Sequence, residues 1–145
     1  MKSRLLNSLI RTNATSWVPL PLRIGVGLGL IAHGSQKLFG WFGGYGLAGT
    51  GQWMESIGLT PGIAMAALAG GGEFLGGLLI LLGLYTRFGA LLIAVPMAVA
   101  TLTVHWGNYF AASNGIELTL TLFLAALTLL LSGGGRFSAD ARLQR

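Results

Sequence analysis

Four long apolar windows constrain the fold of this chain more than any other feature of its sequence. They cover residues 18–39, 61–85, 88–106 and 116–131. A helix that crosses a bilayer needs about 20 predominantly apolar residues, and within lipid the backbone must satisfy its own hydrogen bonds. The composition, with 53% hydrophobic and only 9% charged residues, is that of an integral membrane protein. We therefore predict an all-α, integral membrane four-helix transmembrane bundle.

The basic residues predict the orientation of these helices. Except for Lys37, which lies near the opposite side, they collect at one set of helix ends: Lys2, Arg4, Arg11, Arg23, Arg87, Arg136, Arg142 and Arg145. The positive-inside rule places this side, and with it both termini, in the cytoplasm. The loops over residues 40–60 and 107–115 then face outward. We divide the chain into a basic N-terminal segment (1–16), a four-helix transmembrane domain (17–135) and a cytoplasmic C-terminal tail (136–145).

The first sixteen residues have neither the apolar core nor the cleavage site of a signal peptide, so we expect them to be retained. Leu5 with Leu9, and Leu6 with Ile10, have i,i+4 spacing, which is typical of a short helix on the membrane surface. A frayed tail is the alternative interpretation. The sequence leaves both open.

The loop over residues 40–60 is rich in glycine and aromatic residues. This mixture favours a turn-rich segment that lies against the lipid head groups and would cap a cavity, with Trp41, Tyr45 and Trp53 as anchors. An aromatic belt without any ligand role is the structural alternative.

Glycine and proline predict how the helices pack. Gly25 and Gly29, and likewise Gly72 and Gly76, are spaced so that a neighbouring helix can approach closely. Pro96 lies inside the third window, where we expect a kink and a carbonyl that neighbouring groups must satisfy.

Several classes of function are disfavoured by what the sequence lacks. The chain has no cysteine, which removes disulfides, thiol relays, thioether-linked haem and cysteine-ligated clusters. The paired Glu-x-x-His spacing of di-iron bundles is missing, so we expect no metal site. The net charge of +5 does not indicate nucleic acid, because the basic residues form no patch interleaved with aromatics.

Glu73 is the most informative residue for function, because it lies deep inside an apolar window. A charge at the centre of a bilayer costs about 2.5–3.5 kcal/mol on insertion scales, so such groups pair with a partner or serve a ligand or ion. Counting helical rise from the outer face, we predict an outward-opening polar pocket. Its candidate ligand-binding residues are His33, Gln36, Lys37, Glu73, His105, Asn108 and Glu117.

The alternative is that the ionisable residues only hold the helices in register. Lys37 with Glu117, or Arg23 with Glu73, would then form buried ion pairs. Arg23 and Arg87 are our two arginine candidates for buried ion pairing.

These residues also carry a resemblance to a known family. Arg23, His33-Gly34 and Lys37 in the first window are followed by Glu73 with Gly76-Gly77, the stretch GLYTR at residues 83–87, and Asn114-Gly115 with Glu117. Over residues 23–140 the chain resembles the DoxX family of small bacterial membrane proteins. The resemblance implies a four-helix, multi-pass protein of the bacterial inner membrane. Relatives are associated with thiosulfate:quinone oxidoreductase and with membrane oxidoreductase complexes. The motif positions Arg23, His33, Lys37, Glu73, Arg87 and Glu117 carry over without assigned catalytic roles.

Two functions follow as hypotheses. The first is a membrane subunit of a quinone-linked oxidoreductase system. In it His33 or His105 donates a hydrogen bond to a quinone oxygen and Glu73 or Glu117 moves the proton. The chain itself holds no cofactor, so the electrons come from a partner. The second is a non-enzymatic assembly subunit of a larger membrane complex, or a small-solute carrier. Expected partners are the lipid bilayer and other membrane or redox subunits, or further copies of this chain.

Overall fold

The computed structural model describes residues 7–145, and within that range every regular element is helical. We number six helices: α1 (Pro19–Phe39), α2 (Gly46–Ser56), α3 (Gly62–Leu82), α4 (Thr86–Val99), α5 (Glu117–Ser132) and α6 (Ala139–Leu143). A π-helical turn, Ala100–Val104, continues α4, and 3-10 turns lie at Trp41–Gly43 and Ala111–Ser113. Residues 7–10 are also helical, whereas the predicted pairs involving Leu5 and Leu6 fall outside the described residues.

The predicted all-helical fold is confirmed, and each of the four apolar windows contains one long helix. In the described part of the chain, α3 and the combined helix Thr86–Val104 are long and apolar enough to cross a membrane. The helix α5 is apolar but shorter. The helix α1 matches α3 in length, but it is less apolar because it contains Arg23 and Lys37.

The long helices pack in the order α1, α3, α4, α5, with each neighbour antiparallel to the last. The contact between α5 and α1 is the least extensive of these. We call the end at which α1 and α4 begin the basic end, and the opposite end the aromatic end. The shared core lies between the long helices and contains Val26, Leu30, Ile80, Ala90, Ile93, Met97, Ala126 and Leu129.

A glycine contact fixes the register of α1 against α3. A Cβ atom on Gly34 would lie 2.5 Å from the backbone nitrogen of Phe74 and 2.7 Å from the oxygen of Gly70. Only glycine allows two helix backbones to approach this closely. The predicted contact through Gly25 and Gly29 is wrong within residues 7–145, because no atom of that part of the chain lies within 4 Å of a Cβ added at either glycine.

The second predicted glycine pair does form a helix contact, between α3 and α4. A Cβ on Gly72 would lie 2.7 Å from the carbonyl oxygen of Leu92, and one on Gly76 would lie 2.9 Å from the oxygen of Gly89. The Leu92 carbonyl is the one that loses its helical partner because Pro96, four residues on, has no N–H. The absent side chain at Gly72 therefore leaves room for this carbonyl.

The loop over residues 40–60 is more ordered than predicted. It contains the helix α2, which packs mainly on α3 and buries Thr50, Gly51 and Met54 on one face. The spacing of these three residues is helical, but the high glycine content suggested turns. Trp41 and Tyr45 remain exposed near the start of this segment.

Large apolar side chains cover much of the outer surface of the long helices. Leu28 is 55% exposed, Leu75 54% and Leu131 76%. Monomeric soluble proteins rarely expose contiguous apolar surface on this scale. The surface is suited to contact with lipid.

Candidate functional site

Arg23 ties three segments together at the basic end. Its guanidinium is buried, with the residue 2% exposed, and donates four hydrogen bonds to backbone oxygens. Nε and Nη2 bond to Ile80 and Leu81 at 2.9 Å, and Nη1 bonds to Gly134 at 2.9 Å and Phe137 at 3.0 Å. The last carbonyls of a helix have no intrahelical partner, so Arg23 satisfies the C-terminal end of α3.

Arg87 likewise satisfies carbonyl groups at the C-terminal end of α5. Its Nη1 and Nη2 donate to the carbonyls of Leu130 and Leu131 at 2.8 and 2.9 Å, and its Nε donates to the carbonyl of Arg11 at 3.0 Å. This corrects the ion-pair prediction for Arg23 and Arg87. Within residues 7–145 neither guanidinium lies within salt-bridge distance of a carboxylate, since the ends of α3 and α5 supply carbonyl oxygens instead.

Asp140 completes the basic end, and sequence reasoning missed it. Its Oδ1 accepts a hydrogen bond from the Tyr85 nitrogen at 2.7 Å, and its Oδ2 accepts from the nitrogen and hydroxyl of Thr86 at 2.9 and 2.7 Å. A carboxylate in this position satisfies free N–H groups at the start of α4 and complements the helix dipole. No local spacing signals this role, because the partners are more than fifty positions apart.

Lys37 and Glu73 form an ion pair between α1 and α3. The Nζ of Lys37 lies 2.7 Å from Oε2 of Glu73, and the side chains are 27% and 4% exposed. Among the described residues Lys37 is the sole hydrogen-bond donor to Glu73, and it binds one of the two carboxylate oxygens. The predicted pairs of Arg23 with Glu73 and Lys37 with Glu117 are therefore wrong.

A cavity of about 460 Å³ lies beside this pair and is lined by residues of α1 to α5. Four ionisable side chains line it: His33, Lys37, Glu73 and His105. Most of the other lining residues are apolar, including Leu30, Trp53, Met54, Met65, Leu68, Val95, Met97, Val99, Leu118 and Leu122. The space is thus a largely apolar chamber with a few polar side chains, rather than the polar pocket that we predicted.

The other three predicted ligand-binding residues do not line the cavity. Gln36 donates to the carbonyl of Phe42 at 3.2 Å, outside the chamber. Glu117 is exposed and accepts from the backbone nitrogen of Ala111 at 2.9 Å, which holds the loop before α5. Asn108 is exposed in the same loop.

The two histidines in the cavity differ in their hydrogen bonding. Nδ1 of His105 lies 3.0 Å from the carbonyl oxygen of Asn114. Because a carbonyl can only accept, Nδ1 carries the proton, and in the neutral ring Nε2 is left as an acceptor. His33 makes no hydrogen bond to any described residue, and both of its ring nitrogens are available.

Residues from α2 and α5 complete the chamber, and the spacing of the polar residues did not identify them. Trp53 and Met54 cover it from α2, while Thr119 contributes from α5 and receives a hydrogen bond from Thr101 at 2.9 Å. The expected capping role of the 40–60 segment was the one signal that pointed to Trp53. Together these residues form a largely apolar space with a few hydrogen-bond donors and acceptors in its wall, which suits an amphipathic ligand.

Comparison with known proteins identifies the relatives of this fold. Residues 18–106 match the DoxX family. The chain is 36% identical over 104 residues to an uncharacterized protein of Haemophilus influenzae, covering 65% of this chain and 78% of that relative. It is 32% identical over 139 residues to an uncharacterized membrane protein of Mycobacterium tuberculosis, covering 86% and 80%. No solved structure matches the chain significantly.

The family match includes the two buried or partly buried arginines of the basic end and the ionisable residues of the cavity. Arg23 and Arg87 lie within it, as do His33, Lys37 and Glu73. It covers well over half of the chain, and it bears out the resemblance drawn from the motifs. This chain belongs to the DoxX family of membrane proteins.

Proposed function

We propose that this chain is a membrane subunit of a quinone-linked oxidoreductase system and binds a quinone head group in the cavity. The observation that carries the proposal is the Lys37–Glu73 pair, at 2.7 Å, facing a largely apolar chamber that His33 and His105 also line. A quinone ring is flat and apolar, and its two carbonyl oxygens need hydrogen-bond donors. Ligand sites of this type combine apolar walls with a few well-placed polar groups.

The residues of the cavity divide into donors and acceptors. The Lys37 ammonium has three N–H groups and uses one on Glu73, so others can donate to a quinone oxygen. His33 can donate as well. Nε2 of His105 and the free oxygen of Glu73 can accept from the hydroxyl groups of the reduced form. The same site can therefore hold both redox states.

Conversion of a quinone to a quinol takes up two electrons and two protons. Glu73, His33 and His105 can each hold and release a proton at the cavity wall. The electrons come from a two-electron reductant bound to a partner subunit, because this chain has no cysteine and no nucleotide-binding motif. In this scheme the chain contributes binding and proton transfer.

The proposal includes a topology in which the four long helices span the bacterial inner membrane with the basic end and both termini in the cytoplasm. The positions of Arg11, Arg23 and Arg87 at one end support this orientation through the positive-inside rule. The opposite end carries exposed aromatic side chains that suit a lipid–water interface: Trp41, Tyr45, Trp106 and Tyr109.

The experiment is quinone retention. The protein is purified from its membrane in mild detergent, extracted with solvent, and the extract is quantified by mass spectrometry. We expect Glu73→Gln and His33→Ala to reduce retained quinone by about tenfold, equivalent to about 1.4 kcal/mol of binding. The matched control is Glu117→Gln, which changes an exposed carboxylate outside the chamber and should leave retention unchanged.

Equal retention by the wild type and both cavity variants would rule out this site. If the wild type retains no quinone, the assembly-subunit hypothesis is favoured. In that case native electrophoresis after mild extraction should reveal a larger species that contains other proteins.

A further inference from the structure

The wall of the cavity opens to the outer surface between α3 and α4. Six of the lining residues are exposed, and three of them lie on the adjoining faces of these two helices: Leu68 of α3, and Val95 and Val99 of α4. They are 69%, 57% and 43% exposed, respectively. The other three, His33, Trp53 and Leu118, lie on α1, α2 and α5, so the exposed lining residues of α3 and α4 form a separate apolar group. We call this opening the lateral mouth.

The packing of α3 on α4 explains why the lateral mouth lies toward the aromatic end of the two helices. Nearer the basic end, Gly76 and Gly72 bring the backbones of α3 and α4 into contact. One turn further along the same stripe of α3 the residue is Leu68, whose bulk cannot be accommodated at that spacing. On the α4 side the π-helical turn Ala100–Val104 interrupts the regular helix after Pro96. Such π-turns occur frequently at functional sites.

The chemistry of the lateral mouth differs from that of the chamber behind it. The mouth residues Leu68, Val95 and Val99 are purely apolar and belong to the lipid-facing surface of two apolar helices. Lys37 and Glu73 lie inside the chamber. A hydrated solute would have to shed its water in order to pass such a mouth, whereas a molecule already dissolved in the bilayer would not.

We infer that the ligand enters sideways from the bilayer through the lateral mouth and that it is an amphiphile with a compact polar head and a hydrocarbon tail. The head reaches Lys37 and Glu73, and the tail extends between α3 and α4 into lipid. This rests on the proposed function for the identity of the head group. It adds the route of entry and makes the tail part of the recognition.

The test compares a benzoquinone that carries a long isoprenoid tail with the same ring lacking a tail. Both are equilibrated with the protein in lipid nanodiscs, and bound ligand is measured by mass spectrometry. The substitutions Leu68→Trp and Val99→Trp fill the mouth. The matched control is Leu75→Trp, which changes an α3 residue that is 54% exposed and does not line the cavity.

We expect both mouth substitutions to lower binding of the tailed quinone by about tenfold and binding of the tail-less ring by less than about twofold, with no change in the control. In addition, Leu68→Ala widens the mouth and should speed exchange of the tailed quinone several-fold. Tailed-quinone binding that matches the wild type in both tryptophan variants, or exchange in Leu68→Ala that is no faster, would overturn lateral entry.

The same extracts separate this inference from the proposed function. If the wild type retains a tailed lipid that is not a quinone, and the mouth substitutions remove it, lateral entry stands and the quinone proposal falls. If the wild type binds both quinones and the mouth variants treat them alike, only lateral entry falls. If no tailed molecule is retained at all, both fall.

Discussion

The Lys37–Glu73 pair gives the sharpest test of the site, because each partner can be removed separately. The substitution Lys37→Met keeps most of the side-chain volume but leaves Glu73, only 4% exposed, without its single hydrogen-bond donor among the described residues. Removal of one member of a buried pair costs about 3–5 kcal/mol. Since the Lys37 side chain is 27% exposed, we expect the lower end of that range, about 3 kcal/mol.

The double substitution should cost much less than the single one. Replacement of a buried pair by apolar residues of similar size is often neutral or stabilising. We therefore expect Lys37→Met with Glu73→Leu to remain within about 1 kcal/mol of the wild type. Since Glu73→Leu alone leaves Lys37 without its partner and should not stabilise the protein, the coupling energy is at least about 2 kcal/mol in magnitude.

Equilibrium unfolding in mixed micelles, followed by circular dichroism as the fraction of denaturing detergent rises, measures these free energies. The control is Glu117→Gln, whose exposed carboxylate should contribute no more than about 1 kcal/mol. A loss below about 1 kcal/mol for Lys37→Met, or a double variant as unstable as the sum of the singles, would refute the contact as a stabilising ion pair.

Three further predictions concern the helix contacts. Arg23→Lys cannot reproduce four hydrogen bonds and should cost about 3 kcal/mol or more in the same unfolding assay, whereas exposed Arg142→Lys should be neutral. Gly34→Ala places a Cβ 2.5 Å from a backbone atom of α3 and should cost at least about 1–3 kcal/mol, while Gly25→Ala, facing open space, should not destabilise. Asp140→Asn replaces one acceptor oxygen with a donor and should cost about 1–3 kcal/mol; an unchanged unfolding midpoint would contradict its capping role.

The long helices were predictable because apolar windows of this length leave few other structures. The partner of Glu73 was not, since it depends on the register of α1 against α3. That register follows from the approach of Gly34 to Phe74, which no spacing within one helix reveals. The error with Arg23 was one of depth: its guanidinium bonds to Ile80, two turns or about 10 Å along α3 from Glu73.

The cavity was only partly predictable for a related reason. The i,i+4 spacing of His33 and Lys37 correctly indicated that both share one face of α1, and both line the chamber. All five helices contribute apolar side chains to the chamber, and those of α2, α4 and α5 depend on how these helices converge on α1 and α3. Glu117 was expected in the chamber because of its place in the chain, but its carboxylate turns back to the nitrogen of Ala111.

The hydrogen bonds of Arg23 have a consequence for the order of events during biosynthesis. Two of its four acceptors, Gly134 and Phe137, follow it in the chain by 111 and 114 positions. When α1 leaves the ribosome, these acceptors have not yet been synthesised. Until then the guanidinium of Arg23 must stay hydrated or form hydrogen bonds with other groups. Arg23 can therefore complete its four hydrogen bonds only after the chain has been synthesised through Phe137, beyond the end of α5.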